Sequence, residues 1–307
     1  TYGYADALAD GVVRPVMFMA YSGEARWRDG AGAEYAARLG EPLTAEHTAR
    51  AWRTALDPKG EWMPAVITAA ATRLRQMREH VPDAGGMIIA SDQTTARAYA
   101  ALLRTITGEQ PTVVLSDDPD ASDRISEYSG GTSAWMVAVR MVSEGVDVPR
   151  LTVGVYATSA STPLFFAQAI GRFVRSRRPG ETASIFLPSV PTLLQLASEM
   201  EQQRNHVLGR PDREPEDPLD AALARQRRDE KTDPTQRFES LGADAELDQV
   251  IFDGSSFGTA APVGSDEEAD YLGIPGLLDA GQMRELLNKR QNDQLATRSP
   301  LTGAIRV

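Results

Sequence analysis

The sequence predicts an α/β fold in which a parallel sheet is covered by helices on both faces. Short apolar segments rich in β-branched residues recur near 86–90, 111–115, 135–142, 151–157 and 182–187. Helical segments near 94–107, 162–176 and 190–206 alternate with them, and this alternation is typical of βαβ units. The 307 residues are 42% hydrophobic, which is enough for a packed core.

Residues 1–82 are predicted to be a connector that holds an edge strand and two helices. A strand is expected over 12–21, and Pro15 within it suggests an edge position because proline cannot donate to a sheet ladder. A Gly-rich loop covers 23–40. Helices are expected near 44–56 and 63–80, the second ending before Pro82.

Residues 83–208 form the predicted central domain, and 209–307 a loop-rich, partly helical C-terminal extension. The stretch 210–220 is rich in proline and charge, as linkers and exposed loops often are. Helices are expected near 217–231 and 279–294. The extension is expected to pack on the central domain or to bridge to another one, and its role is not predicted.

The formal charge of −11 is unevenly distributed. Residues 1–200 hold 22 acidic and 19 basic side chains (−3), whereas 201–307 hold 21 and 13 (−8). Within 140–178, six arginines face two acidic residues, a local charge of +4. An anionic partner such as nucleic acid therefore remains possible, but nonspecific coating of DNA is disfavoured.

Composition also limits the chemistry and the compartment. The absence of cysteine excludes disulfides and thiolate zinc sites and agrees with a reducing cytoplasm. Three histidines without HxxxH spacing predict no metal centre. No apolar run of 18 residues and no leader is visible, so we expect a cytoplasmic protein without a membrane partner. The first residue is Thr1 rather than methionine, which predicts a piece of a longer protein.

The octet QAIGRFVR at 168–175 is the most informative segment. Its polar positions fall at i, i+3, i+4 and i+7, one stripe of a helix: Gln168, Gly171, Arg172 and Arg175. The apolar positions lie on another face: Phe166, Ile170, Phe173 and Val174. Guanidinium groups bind phosphate oxygens bidentately, so the stripe indicates an anionic ligand. The alternative is a surface helix whose arginines are merely solvated.

The neighbouring segments carry a resemblance to a known family. Residues 135–157 contain two apolar runs around the turn SEGVDVP (143–149), and QAIGRFVR follows. This order resembles the second RecA-like lobe of superfamily 2 helicases and translocases, with SEGVDVP similar to motif V and QAIGRFVR to motif VI. GGMIIASDQTTARAYAALL, which begins at Gly85, is similar to motif IV. Residues 1–18 are similar to the segment that joins the two lobes. The EGxD form is closest to repair and restriction-type DNA translocases rather than DEAD-box RNA helicases.

The resemblance implies a shared ATP cleft between two lobes. Arg175 would be the arginine finger and Arg172 a second contact to the γ-phosphate, while Gln168 would sense the nucleotide. In comparable NTPases such an arginine raises the rate by about 10³–10⁵. Gly171 would allow another backbone to approach, although close helix packing explains it equally well. ATP and Mg²⁺ would be used by the full-length protein, with the Mg²⁺ ligands on the N-terminal lobe.

Motif V would add two nucleotide contacts. Gly145 permits a backbone geometry that a side chain would obstruct, and Asp147 would accept hydrogen bonds from the ribose hydroxyls. The alternative for Asp147 is a turn aspartate that caps its own backbone. Glu144 stands where DEAD-box proteins carry arginine, and Val139-Arg140 where they carry Thr-Asp, so their contacts at those places do not transfer.

Contacts to nucleic acid are expected at the ends of two strands. Ser91 and Thr94 lie where a strand leads into a helix, and Thr158, followed by Ser159, comes after another strand. Exposed amides at a helix N-terminus can bind phosphate, although Ser91 or Thr94 could simply be a cap. Trp135, Phe165 and Phe166 could stack on bases, but aromatic residues at such places usually belong to the core.

Two further motifs carry no chemistry. GSSFG at 254–258 matches a hydrolase nucleophile elbow, yet no helix is predicted after it and no histidine follows His206. DEEAD at 266–270 is expected to be a solvated acidic loop.

A phosphate-binding loop is missing, since Lys59, Lys231 and Lys289 all lack the GxxxxGK[ST] context. Two hypotheses follow. The chain is the C-terminal half of an ATP-dependent helicase or translocase that acts on nucleic acid, with DNA favoured over RNA, and is inactive without its N-terminal lobe. Alternatively, it is a non-catalytic RecA-like module that docks on a partner or on nucleic acid. For the first, Arg172 and Arg175 should lie at the carboxyl-end rim of the sheet, without carboxylate partners from their own domain.

Overall fold

The computed structural model describes residues 14–115, 118–139, 148–202, 238–258 and 260–298. Eight helices lie in these residues: α1 (Ala45–Ala55), α2 (Trp62–Arg78), α3 (Gln93–Thr107), α4 (Ala121–Gly130), α5 (Pro163–Gly171), α6 (Pro191–Gln202), α7 (Asp266–Leu272) and α8 (Ala280–Arg298). Twelve strands accompany them. Those before residue 200 are β1 (Val16–Ser22), β2 (Glu24–Arg28), β3 (Glu34–Arg38), β4 (Gly85–Ala90), β5 (Thr112–Val114), β6 (Trp135–Val139), β7 (Leu151–Ala157) and β8 (Ala183–Pro188). The later ones are β9 (Glu239–Ala243), β10 (Glu246–Phe252), β11 (Ser255–Phe257) and β12 (Ala261–Pro262).

The main sheet has the order β11-β10-β1-β8-β7-β4-β6-β5, with β12 also paired to β10. From β1 to β5 all neighbours are parallel, whereas β10, β11 and β12 add antiparallel pairs at one side. Every residue of β1, β4, β6, β7 and β8 is buried. Parallel strands require cover on both faces, and this explains their uninterrupted apolar sequences. The predicted parallel α/β sheet is confirmed.

Helices cover both faces of this sheet. Phe18 of β1 stacks on Phe166 of α5, with ring centroids 6.0 Å apart. Tyr21, three residues further along β1, donates its hydroxyl to Glu268 of α7 at 2.6 Å. Successive side chains of a strand point to opposite faces, so Phe18 and Tyr21 lie on opposite sides of the sheet. Helices α5 and α7 therefore pack on opposite faces, as predicted.

The predicted edge position of the first strand is wrong. Strand β1 lies between β8 and β10, well inside the sheet. Pro15 directly precedes the first strand residue, so its missing N–H removes no bond from the ladder. Its carbonyl accepts from the Ala183 N–H at 2.9 Å. Proline therefore marks the start of a central strand here.

The Gly-rich segment 23–40 is a hairpin rather than a loop. Strands β2 and β3 pair antiparallel, and β9 from the extension pairs on the other side of β2. Asp29 closes the turn because its carboxylate accepts from the Ala31 and Ala33 N–H groups, both at 2.9 Å. The turn glycine, Gly32, has a φ of +88°, in the left-handed region that favours glycine.

The extension is built into the main sheet, which joins the three predicted zones. Strand β10 pairs directly with β1, a contact between sequence zones more than 200 residues apart. Asp253 (φ 54°) and Gly254 (φ 72°), the first residue of GSSFG, form the turn between β10 and β11, so this motif is part of a hairpin. Helix α8 agrees with the helix expected near 279–294, and β10 includes most of VIFD (250–253), a plausible strand by sequence, whereas α4, β9, β11 and β12 were not predicted. The helix expected near 217–231 lies outside the described residues.

The segment DEEAD is not a solvated loop. It forms α7, where the Ser265 hydroxyl accepts from the Glu268 N–H at 3.2 Å. Glu268 is buried, and its carboxylate accepts from Tyr21 Oη and from the Gly264 N–H at 2.6 Å. Within the described parts of the chain, no helix combines the length and apolar character needed to cross a bilayer.

Candidate nucleotide and nucleic-acid site

Helix α5 carries most of the predicted motif VI segment. It begins as expected at Thr162, whose hydroxyl accepts from the Phe165 N–H at 3.4 Å, with Pro163 in the first turn. Phe166 and Ile170 are buried on the predicted apolar face, whereas Phe173 is buried but lies beyond the helix and Val174 is half-buried. The Phe166 ring also lies 5.6 Å from that of Tyr156 of β7, so the helix is fixed to the middle of the sheet.

The helix ends five residues earlier than predicted. It ends at Gly171, and the Phe173 N–H donates to the Ile170 carbonyl at 2.9 Å in a tighter final turn. Phe173 is turned into the core over Gly154 of β7, where an added Cβ would lie 2.6 Å from its ring. Arg175 therefore lies beyond the helix and does not share one helical stripe with Gln168, Gly171 and Arg172.

A buried arginine holds the chain where α5 ends. Arg14 donates from Nε to the Phe173 carbonyl at 2.7 Å, and its backbone N–H donates to the Val174 carbonyl at 2.7 Å. Its Nη2 donates to the carbonyls of Pro149, at 3.2 Å, and Leu151. The guanidinium is 1% exposed. One side chain thus joins the start of β1, the entry to β7 and the segment after α5.

Glu181 completes this buried network. Its Oε2 accepts from Arg14 Nη1 at 3.1 Å and from the Arg177 N–H at 3.0 Å. Arg177 also forms a bidentate pair with Asp83, at 2.5 and 3.2 Å, and this pair keeps the pKa of the Asp83 carboxyl below its usual value. The carbonyls of Phe173 and Val174 and the carboxylate of Glu181 therefore all accept hydrogen bonds from Arg14, a residue of the same domain.

The candidate phosphate ligands lie on the outer side of this segment. Gln168, Gly171 and Arg175 are exposed, and Arg172 is half-buried. Burial lowers the pKa of the Arg172 guanidinium from its ordinary value. A Cβ placed on Gly171 would meet no described atom within 4 Å, so close packing within this part of the chain does not explain the glycine.

The segment is not at the carboxyl-end rim. This expectation of the helicase hypothesis is wrong, so a nucleotide cleft at this segment would have to lie at the amino ends of the strands. Arg14, which binds Phe173 and Val174, directly precedes β1, and it also binds Leu151, the first residue of β7. Residues 173–174 therefore lie at the amino ends of the strands. A helix that follows one parallel strand must return to the other edge before the next strand begins. The C-terminal end of α5 is consequently at the opposite edge from its start.

The carboxyl-end rim instead holds hydroxyl groups. Strands β4 and β7 are neighbours, so Ser91 and Thr158, which follow them, come together. Ser91 Oγ donates to Thr158 Oγ1 at 3.4 Å, and the Ser159 N–H donates to Ser91 Oγ at 3.4 Å. Thr158 is buried and Ser91 half-buried, whereas Thr94 is exposed on the first turn of α3.

The cap of α3 is Asp92 rather than Ser91 or Thr94. Its carboxylate accepts from the Thr95 N–H at 2.8 Å, and Thr95 Oγ1 accepts from the Asp92 N–H in return. Because Asp92 takes this role, the Ser91 and Thr94 hydroxyls are not used as caps. An aspartate at the same helix N-terminus opposes the binding of a phosphate there.

Other predicted contacts lie in the core or outside the described residues. The Trp135 ring fills the space beside Gly86, where a Cβ would lie 2.5 Å from it, and Phe166 is buried. Phe165 is half-buried, with its ring edge-on to Tyr156 at 6.2 Å. Gly145, Asp147, Glu144 and Arg140 are outside the described residues. Among those that are described, no group of three or more metal-binding side chains occurs.

The sequence did not reveal Arg14, Glu181 or Gly154 as parts of this region. Arg14 resembles any surface arginine, and only its position directly before Pro15 and a wholly apolar strand hinted at burial. Its partners are 135 to 167 residues away in the chain, beyond the range of any local pattern.

Comparison with known proteins identifies relatives in mycobacteria. The chain is 77% identical over 302 residues to "Uncharacterized protein Rv2917" of Mycobacterium tuberculosis. The matched residues are 98% of this chain and 50% of that protein. It is 73% identical over 300 residues to "Uncharacterized protein ML1624" of Mycobacterium leprae, with 97% and 50% covered. The chain thus spans about half the length of the curated relatives it matches. No protein-family model matches it.

Two solved structures are similar to parts of the chain. One is a fragment of a putative HsdR subunit of a type I restriction enzyme from Vibrio vulnificus, with TM-score 0.43, 15% identity, and coverage of 64% of this chain and 36% of that one. The other is domain 2 of the DEAD-box helicase Mss116p bound to an RNA duplex, with TM-score 0.37, 15% identity, and coverage of 54% and 66%. At these scores the similarity carries no argument about function.

Proposed function

We propose that this chain is the C-terminal half of an ATP-dependent helicase or translocase and acts on nucleic acid, DNA rather than RNA. In this proposal Arg175 is the arginine finger and Arg172 a second γ-phosphate contact. Gln168, Gly171, Gly145 and Asp147 complete the nucleotide contacts. The ATP anchor and the Mg²⁺ ligands belong to the other half of the protein, and no Mg²⁺ ligand is assigned to this chain.

One observation carries the proposal. The exposed Arg175 and half-buried Arg172 flank Phe173, which is buried and whose carbonyl is bound by Arg14. Their backbone is therefore fixed before any ligand arrives. Charge stabilisation in phosphoryl transfer depends on such prior positioning, because groups that must reorganise during the reaction contribute less. A merely solvated surface helix has no need of this support.

In this proposal the two ends of the parallel strands bind different ligands. The arginine segment lies at the amino ends of the strands, and Ser91, Thr94 and Thr158 at the carboxyl ends. A nucleotide at one edge and a nucleic-acid strand at the other would each contact this domain without competing. Because Asp92 opposes a phosphate at the N-terminal amides of α3, the exposed Thr94 hydroxyl and the half-buried Ser91 hydroxyl would contact the nucleic-acid backbone through their side chains alone. Backbone contacts position a protein without reading sequence. Buried Thr158 would position Ser91.

The test uses the full-length protein. The mycobacterial relatives are about twice as long as this chain. We expect it to hydrolyse ATP with stimulation by DNA, and this chain alone to show negligible turnover. Arg175→Ala should reduce kcat by about a thousandfold or more, and Arg172→Ala substantially. Arg178→Ala, a change at an exposed arginine three residues further on, is the matched control and should retain near-normal turnover.

The competing proposal is a docking module without catalysis. It predicts that the full-length protein binds nucleic acid or a partner but does not turn over ATP, or that Arg175→Ala leaves turnover unchanged. Thermal melting of each variant separates a lost contact from a misfolded domain. Filter binding with labelled single-stranded and duplex DNA and RNA then measures which nucleic acid is preferred.

A further inference from the structure

Arg14 has an unusual set of partners for a buried cation. Its guanidinium donates to one carboxylate and to backbone carbonyls from two separate segments. One segment follows α5 and carries Arg172 and Arg175, and the other, Pro149 to Leu151, leads into β7. We propose that Arg14 is a positioning residue that holds Arg172 and Arg175 in their working geometry. This inference rests on the proposed function only for its effect on catalysis.

The geometry explains why an arginine is needed. The planar guanidinium has five N–H donors in a rigid fork, so it can bind several acceptors in one plane. Here Nε donates to the Phe173 carbonyl and Nη1 to the Glu181 carboxylate. Nη2 donates to the carbonyls of Pro149 and Leu151. Lysine would keep the charge but offers a single donor centre, which cannot reach these acceptors together.

The backbone of Arg14 strengthens the same link. Its N–H donates to the Val174 carbonyl at 2.7 Å, so both the main chain and the side chain of one residue bind consecutive carbonyls. Phe173 and Val174 lie between Arg172 and Arg175 in the chain. Any shift of Arg14 would therefore move the backbone from which both candidate phosphate ligands project.

Glu181 fixes Arg14 from the opposite side. Its carboxylate is 1% exposed and is shared between Arg14 and the backbone of Arg177. The residues on either side of Glu181 form hydrogen bonds with the C-terminal extension. The Thr182 N–H donates to the Gly276 carbonyl at 3.4 Å, and the Gly180 carbonyl accepts from the Leu278 N–H at 2.8 Å. The extension thus supports the network that positions Arg172 and Arg175.

A matched control exists within the same sheet. Arg150 is also buried, at 2% exposure, and also donates to three backbone carbonyls, those of Tyr128, Asp83 and Ser133. These carbonyls belong to the segments around α4, β4 and β6, not to the segment after α5. Replacing Arg150 by lysine removes a comparable fork of hydrogen bonds, none of which ends on residues 172–176. The Arg150 backbone lies between the two carbonyls that Arg14 Nη2 binds, and Asp83 pairs with Arg177, so this control also tests whether a change beside those contacts is enough to free the segment.

The first experiment needs no catalysis. Amide hydrogen exchange is followed by mass spectrometry in this chain and in its Arg14→Lys and Arg150→Lys variants. We expect Arg14→Lys to accelerate exchange in peptides covering 172–176 by about tenfold or more, with peptides of β4 unchanged. Arg150→Lys should accelerate exchange around α4 instead. Unchanged exchange at 172–176 in Arg14→Lys, or equal acceleration there in Arg150→Lys, would overturn the positioning role.

The second experiment measures the consequence in the full-length protein. We expect Arg14→Lys to lower kcat by about tenfold or more while the KM for ATP stays within about twofold, because displaced ligands weaken the transition state more than the bound nucleotide. Arg150→Lys, matched in thermal stability, should retain kcat. Normal kcat in Arg14→Lys would overturn the catalytic effect. A parent protein without ATPase activity would overturn the proposed function and this catalytic effect with it, while the exchange experiment still decides whether Arg14 holds the segment.

Discussion

Gly154 of β7 lies directly beneath the ring of Phe173, and a Cβ at this glycine would be 2.6 Å from Phe173 Cζ. The same Cβ would be 2.7 Å from Ile185 Cδ1 of β8, so neither neighbour has free space on that side. This contact lets the chain turn into the core immediately after α5. It therefore determines where Arg172 and Arg175 leave the domain surface.

The first prediction concerns this contact. Gly154→Ala should lower the free energy of unfolding by about 1–3 kcal/mol, because a methyl group would overpack the space between Phe173 and Ile185. Urea unfolding monitored by circular dichroism measures the change. In the full-length protein the same variant should reduce kcat for ATP, since Phe173 must shift. An unchanged unfolding midpoint would contradict the close packing.

Gly171 should behave in the opposite way. Because no described atom lies within 4 Å of its added Cβ, Gly171→Ala should leave the stability of this chain unchanged or raise it by up to about 1 kcal/mol, as alanine favours a helix. If another lobe packs closely against this turn, the variant should impair ATPase activity in the full-length protein. Normal ATPase activity would indicate that no backbone approaches Gly171.

A third prediction tests how firmly the extension is attached. Tyr21 of β1 donates to buried Glu268 of α7 at 2.6 Å. Tyr21→Phe should lower the free energy of unfolding by about 1.5–3 kcal/mol, the usual contribution of a hydrogen bond to a charged group. Glu268→Gln should cost at least as much, because its single acceptor oxygen can serve Tyr21 only if its NH2 group faces the Gly264 N–H donor. A negligible effect of Tyr21→Phe, measured by urea unfolding, would show that α7 is held mainly by other contacts.

The fourth prediction concerns alkaline pH. Burial raises the pKa of Tyr128 to about 12, and its hydroxyl donates to the Gly86 and Ala134 carbonyls at 3.0 and 3.1 Å. Because the folded pKa is raised, the unfolded chain loses this proton first, above a pH of about 10. The contribution of Tyr128 is therefore present below pH 10 and is lost between about pH 10 and 12.

The measurement compares two pH values in the parent and in Tyr128→Phe. Between pH 8 and pH 11 the parent should lose about 1 kcal/mol more of its unfolding free energy than the variant, which has no phenol to ionise at this position. Tyr21 and Tyr99, whose pKa values burial also raises, are present in both proteins and cancel in the comparison. Equal losses would mean that Tyr128 ionises without unfolding.

Local patterns predicted most of the elements. The apolar runs at β4, β6 and β7 were expected within three residues of their observed ends, and that of β7 at its observed ends, because a strand buried on both faces must be apolar throughout. The helix expected from residue 162 begins there, because Thr162 and Pro163 cap it and capping depends on adjacent residues only. The amino acid sequence alone therefore determined the parallel α/β class and the position of the arginine-bearing segment in the chain.

Only the tertiary structure decided how that segment ends and where it lies. Phe173 has the spacing of a helical residue, yet Gly154 offers its ring a place in the core and Arg14 binds its carbonyl. The position of β1 was decided in the same way. Pro15 suggested an edge strand, but β10, which follows 230 residues later in the chain, pairs with the outer side of β1. Periodicity reports neighbours within a few residues, whereas these positions depend on partners brought together by folding, and no local pattern encodes them.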